Sequence, residues 1–284
     1  MSVLCLLTRP AVAAALIAAP LQARPAPAVP YETVSFPSLD PPVIIGAALF
    51  RPEGPGPFPA VVALHGASGL GGRTALYANY QDWGTRLRDA GYVVLFPDSF
   101  RARGLDHGVA TLKHDPVPPD RERVKDVFGA LRFLQSLPWV RRDRIALLGW
   151  SHGGATVLSA VEAGLPVPQP GFRVAVAFYP GTWRQLRNPS WKPGIPLSIL
   201  IGLKDDWTPA EGCVRLAERI HAQGLALDLV TYPNANHGFD APKVPLHVRT
   251  GVNSHTGSAT VGTDPDARQD ALTHTMTIFH QALD

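Results

Sequence analysis

The run Gly149-Trp150-Ser151-His152-Gly153, followed by Gly154, places a hydroxyl between small residues. It stands directly after the apolar stretch Ile145 to Leu148 and directly before a helical pattern. A serine at such a strand-turn-helix junction is presented at the tip of a sheet, because the glycines let the chain turn sharply around it. The plainer reading is a serine N-cap in a glycine-rich turn. The pentapeptide is weak alone and takes its force from the elements on either side of it.

A serine hydroxyl is a poor nucleophile near neutral pH and needs a base to take its proton. His237, in Asn234-Ala235-Asn236-His237-Gly238-Phe239, follows the strand pattern Leu227 to Tyr232 and falls on a loop at its C-terminal end. A solvated turn would have the same composition, but its place at the edge that carries Ser151 favours the base. An acid is then required to orient the imidazole and stabilise it when protonated. Asp205 and Asp206, in Gly202-Leu203-Lys204-Asp205-Asp206-Trp207-Thr208-Pro209, follow the strand pattern Leu197 to Ile201. Asp205 is preferred, since Asp206 has structural work as a cap for the helix starting near Pro209. The chain order Ser, Asp, His is that of one hydrolase architecture and of neither major unrelated serine protease group.

The developing oxyanion needs hydrogen-bond donors, each worth a few kcal/mol. Leu64-His65-Gly66-Ala67-Ser68-Gly69-Leu70 closes the strand Ala60 to Leu64, and the expected donors are the main-chain amides of Ala67 and His152. His65 reads as a structural residue that holds this loop. Trp150, Tyr179, Trp207 and Phe239 lie at strand ends or beside the candidate triad, where they could line an apolar acyl pocket; packing explains each of them equally well.

Positioning these groups requires a sheet. Val43 to Phe50, Ala60 to Leu64, Tyr92 to Phe96, Ile145 to Leu148, Val174 to Phe178, Leu197 to Ile201 and Leu227 to Tyr232 are apolar runs of strand length. Helical patterns cover Thr74 to Ala90, Asp120 to Leu137 with Asp120 as N-cap, Ser151 to Ala163, Pro209 to Ala222 and Pro265 to Ala282. Apolar strands alternating with crossover helices predict an α/β class: a three-layer sandwich with a mostly parallel sheet. An antiparallel hairpin from about Tyr31 to Phe50 is expected at one edge. Between Phe178 and Leu197 there is room for only a short connection, so no large lid is expected.

Together these pieces resemble the dienelactone hydrolase family of the α/β-hydrolases. The matching residues are His65-Gly66, Pro97-Asp98-Ser99-Phe100 with Arg103-Gly104, the elbow at 149–154, Gly202 with Asp205 and Pro209, and His237-Gly238-Phe239. The resemblance runs from about 45 to 240 and over the final helix. Name-giving members carry cysteine where Ser151 stands, which moves the expectation from dienelactone turnover to general ester or lactone hydrolysis. The resemblance also implies a basic grip on a substrate carboxylate, for which Arg101 and Arg103 are candidates; for either one a surface ion pair is the rival account. The polar stretch from Ala241 to Gly262 receives no role.

Composition bounds the alternatives. The 284 residues are 45% hydrophobic and 17% charged with a net charge of +3 and no run of like charges, so nucleic acid is a poor candidate partner. The ten histidines contain no convincing zinc spacing; Asp106-His107 and His114-Asp115 read as loop residues, and neither metal nor cofactor is expected. Arg9 before the apolar run Ala11 to Ala19 reads as an export signal over 1–23, leading through a linker at 24–30 to a domain over 31–284 and a periplasmic or secreted location. That run is too short for a spanning helix. Cys213 would then be the one cysteine of the mature chain, most simply a buried packing thiol. Two rival functions remain: a peptidase or acyl-peptide hydrolase using the same triad, and a non-catalytic relative that binds a ligand.

Overall fold

The computed structural model describes residue 1 and residues 31–39, 43–72 and 74–284; the expected signal and linker lie outside the described residues apart from Met1. The chain opens with the antiparallel pair β1 (Glu32–Pro37) and β2 (Ile44–Phe50). It then alternates through β3 (Phe58–Leu64), α1 (Ala78–Asp89), β4 (Val93–Pro97), α2 (Glu122–Ser136), β5 (Val140–Trp150) and α3 (His152–Ala160). β6 (Val174–Phe178), α4 (Trp183–Arg187), β7 (Leu197–Gly202), α5 (Ala210–Ala222) and β8 (Asp228–Tyr232) continue the pattern. A short hairpin, β9 (His247–Thr250) and β10 (Ser258–Val261), precedes the closing helix α6 (Pro265–Leu283).

The eight-stranded sheet has the order β1-β2-β4-β3-β5-β6-β7-β8, and only β2 runs against the others. The chain steps from β3 to β4, crosses back over β3 to β5, and then moves outward. Right-handed crossovers therefore place α1 on one face and α2, α3, α4 and α5 on the other. α6 joins α1 through the ion pair of Arg268 and Asp82 at 2.6 Å. This is the predicted three-layer sandwich with an edge hairpin, and its topology is that of the α/β-hydrolase fold.

The central strands are buried on both faces, which is why they read as unbroken apolar runs. β5 is longer than expected: its first half, Arg141 to Arg144, is charged and partly exposed, so apolarity marks only its second half. Helix α1 starts later than expected because Gly71 bridges Leu76 and Tyr77 N–H bonds Leu70 O, which keeps that segment in a loop. Asp120 does not cap α2; Arg121 stands at the cap position without a side-chain bond, and Asp120 pairs with Arg184 of α4 instead. The buried stripe of α2 holds Val127, Leu131 and Leu134, and also the charged Arg123 and Asp126. No helix among the described residues is long and apolar enough to cross a membrane.

Candidate active site

Strands β3, β5, β7 and β8 run parallel, so the loops leaving their carboxyl ends meet at one edge of the sheet, where open α/β sheets bind ligands. Ser151 joins β5 to α3 with φ 54° and ψ −114°, a conformation L-residues avoid. The turn is locked by Ser151 N–H donating to Phe178 O at 2.9 Å. It is also possible only with glycine nearby: a Cβ at Gly153 would lie 2.1 Å from Leu64 O, and one at Gly149 2.5 Å from Gly153 O.

Asp205 occupies the turn after β7. Its Oδ1 accepts the amides of Trp207 and Thr208 at 2.9 and 2.8 Å, and its Oδ2 lies 2.8 Å from His237 Nδ1. A carboxylate accepts, so Nδ1 carries the proton and Nε2 keeps its lone pair. The imidazole is in ring contact with Tyr179 and Trp207, at centroid distances of 4.5 and 4.9 Å. Thr208, which the sequence did not single out, sets its hydroxyl 3.1 Å from Asp205 Oδ2 and 3.0 Å from Tyr179 O, adding a further hold on the carboxylate. Ser151 and His237 border the same cavity, and no hydrogen bond joins them among the described residues. Contacts of this kind commonly tighten only with substrate in place. Asp206 points elsewhere: it accepts Thr260 N–H and Oγ1–H at 2.7 and 2.8 Å and does not cap α5, whose cap position holds Pro209.

The two amides expected as oxyanion donors are aimed by their own peptide groups. Gly66 O accepts from His65 Nδ1 at 2.8 Å and from Gly69 N at 3.1 Å; because a trans peptide points its N–H opposite its C=O, the Ala67 N–H faces away from both. Ser151 O likewise accepts Ala155 N–H at 2.8 Å, which leaves the His152 N–H projecting from the N-terminus of α3. Neither amide meets an acceptor among the described residues. His65 is buried, and its Nε2 meets no hydrogen-bond partner among the described residues. Burial, then the nearby Arg123 charge, push its pKa well below the ordinary value and keep it a neutral donor.

The cavity beside the dyad has a volume of about 530 Å³ and is walled mainly by apolar atoms. Trp150, Tyr179 and Trp207 border it, as do Val244, Arg249 and Val261 from the segment left unassigned in the sequence. Ser151, Ala67 and Trp207 also border a larger, more polar cavity of about 1120 Å³, toward Lys113, Arg184 and Arg215. The serine thus stands where an apolar and a polar hollow meet.

Three expectations for substrate contacts need correction. Phe239 is fully buried against Phe178, Tyr179 and Tyr232 and belongs to the core, because the chain turns inward immediately after His237. Arg103 forks onto Asp126 at 2.9 Å through both terminal nitrogens and also holds Ser99 O, so its charge is spent inside the protein. Arg101 spans Gly71 O and Gly72 O at 3.2 and 3.1 Å and faces Asp98 and Asp106; it borders neither cavity. Trp150 borders the cavity, but its ring is a core element: it is 1% exposed and its indole N–H donates to Asp240 Oδ2 at 2.8 Å. Cys213 is buried as expected, and burial raises its thiol to about 12, far from a reactive thiolate.

Asp240 was missed, although it follows His237-Gly238-Phe239 directly. It accepts from Trp83, Trp150 and Tyr179 at 2.8, 2.8 and 2.6 Å, tying α1, β5 and the end of β6 together beneath His237. Asp115, expected only as a loop residue, sets its Oδ2 2.6 Å from His152 Nε2. Arg123 and Asp126 were legible as charged residues on the apolar stripe of α2, a position that calls for an explanation wherever it occurs.

An eight-stranded sheet of this order, with a serine elbow after β5 and an Asp–His pair after β7 and β8, defines an α/β-hydrolase. Residues 45–283 match the model of the dienelactone hydrolase family, and the chain belongs to that family. Its members act on ester and lactone bonds, and this protein is such a hydrolase. A Bradyrhizobium protein named "Probable 2-oxo-3-(5-oxofuran-2-ylidene)propanoate lactonase" is 29% identical over 212 residues, covering 68% of this chain and 78% of its own. Among solved structures, a "Putative Dienelactone Hydrolase" of Klebsiella pneumoniae matches with a TM-score of 0.67 at 19% identity, covering 88% of this chain and 98% of that one. A dienelactone hydrolase-like promiscuous phosphotriesterase from metagenomic libraries matches with 0.66 at 20%, covering 89% and 98%.

Proposed function

We propose that the protein cleaves carboxylic esters or lactones through an acyl-enzyme on Ser151, with His237 as general base and acid and Asp205 as its orienting carboxylate. The observation that carries this reading is the Asp205–His237 bond of 2.8 Å beside a serine held at φ 54° on the wall of the same cavity.

In this mechanism Ser151 Oγ attacks the carbonyl carbon while its proton passes to His237 Nε2. The carbonyl π pair moves onto oxygen, which the Ala67 and His152 amides receive. The adduct collapses as the imidazolium returns the proton to the leaving alcohol oxygen. Water then repeats the attack on the acyl-enzyme and restores the serine. The apolar cavity suits the acyl chain and the polar cavity the alcohol portion; in a lactone the two remain tethered after ring opening. The Bradyrhizobium relative, named as a probable lactonase, supports lactones within the range to be assayed.

A fluorophosphonate probe is expected to label the wild-type protein on Ser151 and to leave Ser151→Ala unlabelled. Hydrolysis of short p-nitrophenyl esters without cleavage of peptide anilides is expected alongside. Cleavage of the anilides at comparable rates would transfer the reading to a peptidase, and an unlabelled, inert wild-type protein would leave a ligand-binding relative.

A further inference from the structure

Arg123 is fully buried on α2, and its guanidinium reaches two loops of the site at once. Nη2 donates to His65 O at 2.6 Å, and Nη1 lies 2.5 Å from His152 Nδ1. Arginine can only donate, so Nδ1 accepts and the His152 proton sits on Nε2, where Asp115 Oδ2 receives it at 2.6 Å. Asp115 is held in turn by Val117 N–H at 2.9 Å. The guanidinium lies over Phe100, 5.0 Å from the ring centroid, and Phe100 also packs edge-on against the rings of His65 and His152.

This arrangement is unusual for a buried cation. Such a charge is costly to desolvate and is ordinarily paired with a carboxylate. Here both terminal nitrogens go to a backbone carbonyl and a neutral imidazole, while the nearby carboxylates of Asp126, Asp115 and Asp98 support the charge from a distance. Burial draws the arginine pKa down to about 10, and it stays cationic at neutral pH. The second His–Asp pair, His152 with Asp115, is not a spare base: both ring nitrogens are occupied and neither is open to substrate.

We propose that Arg123 is a positioning residue that braces both oxyanion donors, one arm fixing the His65–Ala67 loop and the other fixing His152. The proposal rests on the assignment of the Ala67 and His152 amides as those donors. The two amides belong to loops leaving different strands, β3 and β5, and nothing in the sheet ladder sets their mutual angle beyond Leu64 and Gly149. A planar fork anchored on a third element does so, and it acts on the transition state, where the oxyanion exists, more than on the bound substrate.

Arg123→Lys keeps the charge but replaces the fork with a single head. It is expected to lower kcat for a p-nitrophenyl ester about 10- to 100-fold while KM changes less than about twofold. Inhibition by an alkyl boronic acid, whose adduct with Ser151 sets an anionic oxygen between the two amides, is expected to weaken in step with kcat. A folded Arg123→Lys protein with wild-type kcat and boronate affinity overturns the proposal, as does a rise in KM at constant kcat. If that variant fails to fold, Asp115→Ala, at the partly exposed far end of the hydrogen-bonded series, gives the same reading: kcat and boronate affinity fall together about three- to tenfold, and unchanged values overturn the brace. A wild-type protein inert to esters and fluorophosphonate fails at the proposed function itself, whereas an active wild type with unaffected variants removes only the brace.

Discussion

The φ of 54° at Ser151 is held against the residue's own side chain, by glycines that let Leu64 O and Gly153 O approach and by the bond to Phe178 O. Such strain amounts to about 1–3 kcal/mol and persists only where the surroundings enforce it. Ser151→Gly is therefore expected to resist denaturant better than Ser151→Ala by about 1 kcal/mol, while both lower ester turnover by about 10⁴-fold or more. Equal midpoints in chemical denaturation for the two variants would show that the turn is relaxed. The candidate triad was legible at this scale because each member follows an apolar strand, and strand ends share an edge in a parallel sheet. Direction was not legible. Phe239, Arg101 and Arg103 stand beside active-site loops in sequence, yet one turns into the core and the others spend their donors on Asp126, Ser99 O and glycine carbonyls.

The hairpin of β9 and β10 supplies one wall of the apolar cavity, from strands of four residues whose alternation is too short to be read as sheet. It is held by contacts from several loops. Val261 bridges His237, Arg249 Nη1 donates to Ser68 Oγ at 3.2 Å and its guanidinium lies over Trp207, and Asn253 N–H bonds Ala110 O at 2.7 Å. Asp206 pins Thr260 through both carboxylate oxygens. Charge-assisted bonds of this kind contribute about 1–3 kcal/mol. Asp206→Ala is expected to loosen the wall and raise KM for a medium-chain ester about three- to tenfold with kcat changed less than about threefold, whereas Asp205→Asn lowers kcat about 10³-fold or more at similar KM. The reverse pattern in steady-state kinetics would exchange the roles of the two aspartates.

Across the whole molecule, buried charge and aromatic rings link the layers. Asp240 gathers Trp83 of α1, Trp150 of β5 and Tyr179 after β6, and burial holds its carboxyl above the usual range despite those three donors. His65 is buried and His152 nearly so, with 11% of its side chain exposed; both are neutral and displaced downward chiefly by burial. The unfolded chain protonates them near pH 6.5, so below that pH it binds more protons than the native state. Their contribution is complete above about pH 6.5 and is lost as the pH falls toward their lower native values, by at most about 1.4 kcal/mol per pH unit for each group. Urea denaturation is expected to give a lower midpoint at pH 5.0 than at pH 7.5. His65→Asn, whose amide can still donate to Gly66 O, is expected to flatten that dependence; an unchanged slope would place the protonation elsewhere.

Apolar runs by themselves determined the strands β3 to β8, the helices α2, α3 and α5 with the body of α1, and hence the edge at which Ser151, Asp205 and His237 emerge. Burial on both faces gives β3, β4, β6, β7 and the second half of β5 a local signature that no rearrangement of loops erases, whereas the edge strand β8 is only partly buried and α4 was not marked. Only the tertiary structure decided which aspartate stands behind the imidazole, that residues 241–262 wall the cavity, and that Arg123 on the stripe of α2 touches both His65 and His152. Those outcomes depend on the direction of single side chains over contacts as far apart in the chain as 181 residues, where the sequence carries composition but not angle.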